Sequence, residues 1–138
     1  MKVELQRKND LFHFEASGSS PVTVNIDGSP DIGGENKGAR PMELILMGLG
    51  GCTAIDLMLI LKKQKQIVED VHITIDGERE AGVVPSVFKK IHLHFTFKGQ
   101  PDEEKVKRAL DLSLNKYCSV QAMLCKTAEI TSSFEIKP

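Results

Sequence analysis

The chain has no tryptophan, one tyrosine and six phenylalanines, so aromatic residues fill only 5% of its 138 positions. That is too little aromatic surface for a base-stacking platform on single-stranded nucleic acid. An excess of charge is also missing: the formal net charge is −1, which gives no general attraction to a phosphate backbone. Cysteine is scarce, with three residues at positions 52, 118 and 125, none of them paired at CxxC spacing. The spacing excludes a zinc knuckle and a thioredoxin-type motif, and the odd number argues against a structural disulfide framework. The opening MKVELQRKND alternates charge and hydrophobe and lacks the continuous apolar stretch of a signal peptide, so the expected location is the cytoplasm. No repeat or low-complexity tract is present.

What remains is the composition of an ordinary folded protein, 41% hydrophobic and 27% charged, long enough for a single domain over 1–138. One segment reaches the length of a membrane span: Leu44 to Leu61 is eighteen residues with one charge, Asp56. A carboxylate inside a bilayer costs about 2.5–3.5 kcal/mol on insertion scales, and the flanks alternate like strands of a soluble domain. The expectation is a central helix covered on all sides by protein, with no membrane. It is apolar on every face, more than a chain of this size covers by itself, and a second copy would complete the cover.

Elsewhere the periodicity is simple. Val3 and Leu5, then Phe12, Phe14 and Ala16, then Val22, Val24 and Ile26 alternate with polar residues, marking three half-buried antiparallel strands. The Gly-rich loop Asp27 to Ala39 reads as a connector. Pro41 and Glu43 at the start of the central helix, and Lys62, Lys63 and Lys65 at its end, match the polarity of a helix dipole. Val71, Ile73 and Ile75 mark a strand, and Ile91, Leu93, Phe95 and Phe97 another. Asp102 is placed to cap a helix with an apolar stripe of Val106, Ala109, Leu110, Leu114 and Tyr117. A break near Cys118–Ser119 leads to a short helix, Val120 to Lys126, and Ile130, Phe134 and Ile136 form the last strand. The order is βββ-α-ββ-α-α-β, an α+β plan.

The cysteines differ in setting. Cys125, within Ala122-Met123-Leu124-Cys125, reads as a small buried hydrophobe. Cys52 follows Gly48-Leu49-Gly50-Gly51, and each glycine costs about 0.8–1 kcal/mol in a helix interior, a cost that makes sense where something must approach closely. Cys118 lies where two helices meet, beside Ser119 as N-cap, and free amide N–H groups there favour a thiolate. Cys52 is deep in its helix, beyond reach of the dipole, so a reactive Cys52 needs a cation. His92 and His94 share a strand face, but no Cys, Asp or Glu falls in register with them along the strand, so no metal site is expected.

Pro41-Met42-Glu43-Leu44 through Gly50-Gly51-Cys52-Thr53-Ala54-Ile55-Asp56, with the later Lys116-Tyr117-Cys118-Ser119-Val120, resembles the OsmC/Ohr family over nearly the whole chain. The resemblance implies an OsmC-like α+β fold, with antiparallel sheets around two central helices in an intertwined homodimer. It implies reduction of organic hydroperoxides, in which Cys52 attacks as thiolate, Cys118 resolves the sulfenic acid to a disulfide, and an external dithiol resets the pair. No metal or organic cofactor is implied. Met42 stands where Ohr-type members carry a glutamate, with Glu43 one place later, and only Arg7 precedes Arg40, so the likeness is to the OsmC-like branch rather than to Ohr. At 100° per residue Glu43 points away from Cys52, while Asp56 lies within about 40° of it. Arg40 and Arg79 are the candidate activating cations. Two other readings remain: a dimeric binding protein for a hydrophobic small ligand, and a redox-regulated interaction protein whose Cys52–Cys118 disulfide is a signal.

Overall fold

The computed structural model describes residues 1–138, which form two compact units, Met1–Ile45 and Leu46–Pro138. In the first unit β1 (Glu4–Arg7), β2 (Phe14–Ser17) and β3 (Val24–Ile26) make an antiparallel meander, with Leu5 opposite Ala16 and Phe14 opposite Ile26. The following loop is organised by Asp27, which is 1% exposed. Its carboxylate accepts backbone N–H bonds from Gly28, Glu35 and Lys37. Burial pushes this carboxyl up, but the three amides, with His13 nearby, outweigh it and hold it below its ordinary value. The loop is therefore a built connector, wound around one buried anion.

Helix α1 (Pro41–Lys63) begins with Pro41 at its first position, and Glu43 accepts the Arg40 N–H at 2.8 Å, the acidic half of a capping box. It ends in a Schellman turn: Lys65 takes φ 58°, its N–H reaches Lys62 O, and the Gln66 N–H reaches Leu61 O. Its buried positions are Leu49, Gly50, Thr53, Leu57 and Leu61, one stripe of the helix. Ile55 remains 65% exposed and Leu59 54%, and Met47 and Met58 are exposed as well. The expectation of a helix covered on all sides is not met within one chain, because one sheet and one helix partner can cover only one stripe of it.

The second unit's sheet is β4 (Val68–Arg79), β5 (Phe88–Gly99) and β6 (Glu129–Lys137), in that order. β4 and β5 pair antiparallel, as expected; β5 and β6 pair parallel, with Phe95 opposite Phe134. A parallel pair requires a crossover, and the helical segments between β5 and β6 supply it. One face of β5 is the core: Ile91, Leu93, Phe95 and Phe97 are all at most 1% exposed. Phe95 and Phe97 stack at 6.3 Å, and Phe134 meets Phe97 edge-on. Gly50 is where α1 lies tightest on the sheet, since a Cβ there would sit 2.5 Å from Ile75 Cδ1. The crossover is α2 (Glu103–Leu112), a π-helical turn (Ser113–Tyr117) and α3 (Ser119–Leu124). Asp102 caps α2, accepting the Lys105 N–H at 3.0 Å. Val106, Ala109 and Leu110 are its buried stripe.

Candidate functional site

The site is built where α1 meets the end of the crossover. At Ser113 the α-helical ladder widens, and the Cys118 N–H reaches back five residues to Ser113 O at 2.8 Å. Such π turns displace the residues that follow them, and they recur at functional sites. Here the turn delivers Cys118 in extended geometry (φ −74°, ψ 105°) as the first residue outside α3. Cys118, not Ser119, is the cap: its sulfur accepts the Gln121 N–H at 3.4 Å. Two hydroxyls fasten this segment to α1. The Ser113 hydroxyl donates to Thr53 O at 2.9 Å, and Thr53 Oγ1 lies 3.7 Å from Cys118 Sγ. Thr53 and Ser113 are both fully buried.

Cys52, beside Thr53, lies close to Cys118, so the structure brings together the two cysteines singled out in the sequence. Their exposures differ: Cys52 is half-buried and Cys118 is 2% exposed, and no disulfide joins them. Burial pushes the Cys118 thiol up from its ordinary value, and the hydrogen bond with Cys52 pushes the same way; the Gln121 N–H and the Thr53 hydroxyl pull it down by less. The expectation that amide N–H groups make Cys118 a thiolate is thereby corrected, because desolvation outweighs a single amide at the cap. Cys118 keeps its proton and faces a more exposed neighbour.

Cys125 is exposed rather than buried, and its thiol donates to Ala122 O at 3.4 Å. Glu43 is engaged in capping, while the Arg40 guanidinium bonds Gly38 O and the Asn36 side chain. Arg79 donates to Ser86 O at 2.9 Å. Asp56, one turn beyond Cys52, has Oδ2 buried with no hydrogen-bond partner. His92 and His94 bond to hydroxyls of β6: His92 to Thr131 and Ser133, and His94 to Ser133, with Glu135 3.6 Å from its Nε2. Glu135 was invisible to a reading along β5 alone, since only the parallel pairing places it there. Thr53 and Ser113 were missed as well. A single Thr in an apolar helix carries no signal until its partner, sixty-five residues away, is known.

An apolar groove of about 860 Å³ runs along α1 beyond the cysteines, lined by Ala54, Ile55, Met58, Leu59, Ile67 and Val68, with Lys62 and Lys65 at its polar end. Ile55 and Leu59 follow Cys52 at helical spacing, so the groove continues the helix face on which Cys52 lies.

An α+β chain with two free cysteines close together across two helices defines a class of thiol proteins, and the comparisons narrow it. Residues 34–133 match the family model described as OsmC-like protein. The chain belongs to the OsmC-like protein family. It is 44% identical to Protein YhfA of Escherichia coli K12 over 124 residues, 89% of each chain. A hypothetical protein from Aquifex aeolicus superimposes with TM-score 0.81 at 30% identity, covering 99% of this chain and 97% of the other. An organic hydroperoxide resistance protein OsmC from Legionella pneumophila shares the fold, with TM-score 0.71 at 17% identity over 98% and 97% of the two chains.

Proposed function

We propose that this protein reduces organic hydroperoxides in oxidative-stress defence, with Cys52 as the attacking thiol and Cys118 as the resolving one. The observation that carries the reading is the contrast between two neighbouring sulfurs, one half-buried on an apolar helix, the other buried and held protonated. The Cys52 thiolate attacks the terminal peroxide oxygen. The O–O bond breaks, the alcohol leaves with a proton, and Cys52 becomes a sulfenic acid. Cys118 then loses its proton and bonds to the Cys52 sulfur, and the oxygen departs as water. An external dithiol returns both thiols. The name of the Legionella structure, an organic hydroperoxide resistance protein, lends the substrate class.

The working form in this reading is a cytoplasmic homodimer. One chain leaves Met47, Ile55, Met58 and Leu59 of α1 uncovered, and Val3, Leu5, Val22 and Val24 around the first strands. A second copy would bury these and give the unpartnered Asp56 oxygen a donor, relieving a penalty of about 1–3 kcal/mol. It would also supply the cation that Cys52 needs, with Arg40 and Arg79 the side chains to examine.

The test is consumption of cumene hydroperoxide against hydrogen peroxide with a small dithiol as reductant. Cys52→Ser should abolish turnover. Cys118→Ser should allow one turnover and leave a trappable sulfenic acid or an over-oxidised Cys52. If the wild type consumes peroxide no faster than a free thiol, the groove favours the second reading, a binding protein for a hydrophobic ligand.

A further inference from the structure

We propose that the Thr53 hydroxyl is the switchable donor that allows the buried Cys118 sulfur to attack Cys52. The inference rests on the reading that Cys118 resolves Cys52, and it adds a residue to that chemistry. Thr53 Oγ1 faces two acceptors, and the shorter of its contacts is to Leu49 O at 2.8 Å, a back-bond along its own helix. Leu49 O also belongs to the i→i−4 ladder of α1, so it keeps a partner when the hydroxyl hydrogen leaves. The same oxygen lies 3.7 Å from Cys118 Sγ. The hydroxyl hydrogen can therefore turn from the carbonyl to the sulfur while the oxygen stays in place.

The turn matters because of where the sulfur lies. Cys118 is 2% exposed, so water cannot stabilise a thiolate there. Its only fixed donor is the Gln121 N–H at 3.4 Å. When the Cys118 proton leaves, the S–S bond forms with Cys52 and the Cys52 S–O bond breaks; the departing hydroxide takes up a proton and leaves as water. During that step negative charge sits on Cys118 Sγ, and Thr53 is the second donor facing it. Ser113 holds the geometry, since its hydroxyl ties the π turn to Thr53 O at 2.9 Å. The residue beside the attacking cysteine thus serves the resolving one.

The test isolates resolution from peroxide chemistry. In a Cys125→Ser background, Cys52 is capped as a mixed disulfide with nitrothiobenzoate, and attack by Cys118 releases the coloured thiolate. Thr53→Val keeps the shape and removes the donor. It should slow release about tenfold below pH 8 and move the pH profile up by about one unit, the usual size of a lost hydrogen bond to a charged group. Thr53→Ser should restore both. Unchanged release and an unchanged profile would overturn the inference; so would an equal slowing of the capping step, which marks a merely structural loss. Thr53→Ala repeats the test in a smaller side chain if the valine does not fold. A chain that shows normal release but consumes no hydroperoxide would count against the peroxidase reading while leaving Thr53 tested.

Discussion

Replacing Ile55 by alanine tests whether a second copy covers α1. Full burial of an isoleucine side chain is worth about 1.5–3 kcal/mol. Ile55 is 65% exposed in one chain, so about 1–2 kcal/mol of that is still to be gained on covering it. A two-fold interface uses the same patch twice, which brings the loss in Ile55→Ala to about 2–4 kcal/mol per dimer. At 1.4 kcal/mol per decade, the dimer dissociation constant should rise about thirty- to several-hundred-fold. Sedimentation velocity over a dilution series measures this directly. The folded chain itself should change little, because an exposed substitution typically moves stability by about 0.5 kcal/mol or less; a urea melt below the dissociation constant, where the chain is monomeric, separates the two effects. Wild type running as a monomer at micromolar concentration, or an Ile55→Ala constant within threefold of wild type, would refute the reasoning.

Other outcomes follow from single contacts. Cys118 is held protonated in the folded chain, its thiol raised by burial. The stability this gives is fully present below the ordinary thiol range and is lost as pH rises through the folded value, so wild type should lose urea resistance above about pH 9 more steeply than Cys118→Ser. Asp102→Ala removes the cap on Lys105 N and should cost about 1 kcal/mol in chemical denaturation, with the hydroperoxide assay unaffected. Leu57 is 0% exposed, and Leu57→Ala should lower unfolding free energy by about 2–5 kcal/mol.

The parts of this fold that a reader of the sequence can see are those fixed by local chemistry. The alternation of Leu93, Phe95 and Phe97, the Pro41 and Glu43 start of α1 and the Asp102 cap all require only neighbours in the chain, and each is where the pattern puts it. What depends on distant pairing is hidden. Nothing in Ile130, Phe134 and Ile136 says that β6 runs parallel to β5, and without that fact Glu135 cannot be placed beside His94. The π turn is hidden too: Val106 to Tyr117 keeps good helical spacing, yet Ser113 bonds across to Thr53 O, and the ladder widens there. Cys52 and Cys118 were found from their sequence contexts. That Cys118 keeps its proton is a matter of burial, and burial is settled by the whole fold.

Helix α3 is six residues long and has no buried side chain. Segments with so little buried surface open locally at a small fraction of the global unfolding free energy, whereas the β5 strand of the core opens only with the whole core. Cys118 therefore stands between a firmly held π turn and a lightly held short helix, whereas Cys52 sits within the long helix α1. The backbone amides of α3 should therefore trade their hydrogens with water faster than those of β5.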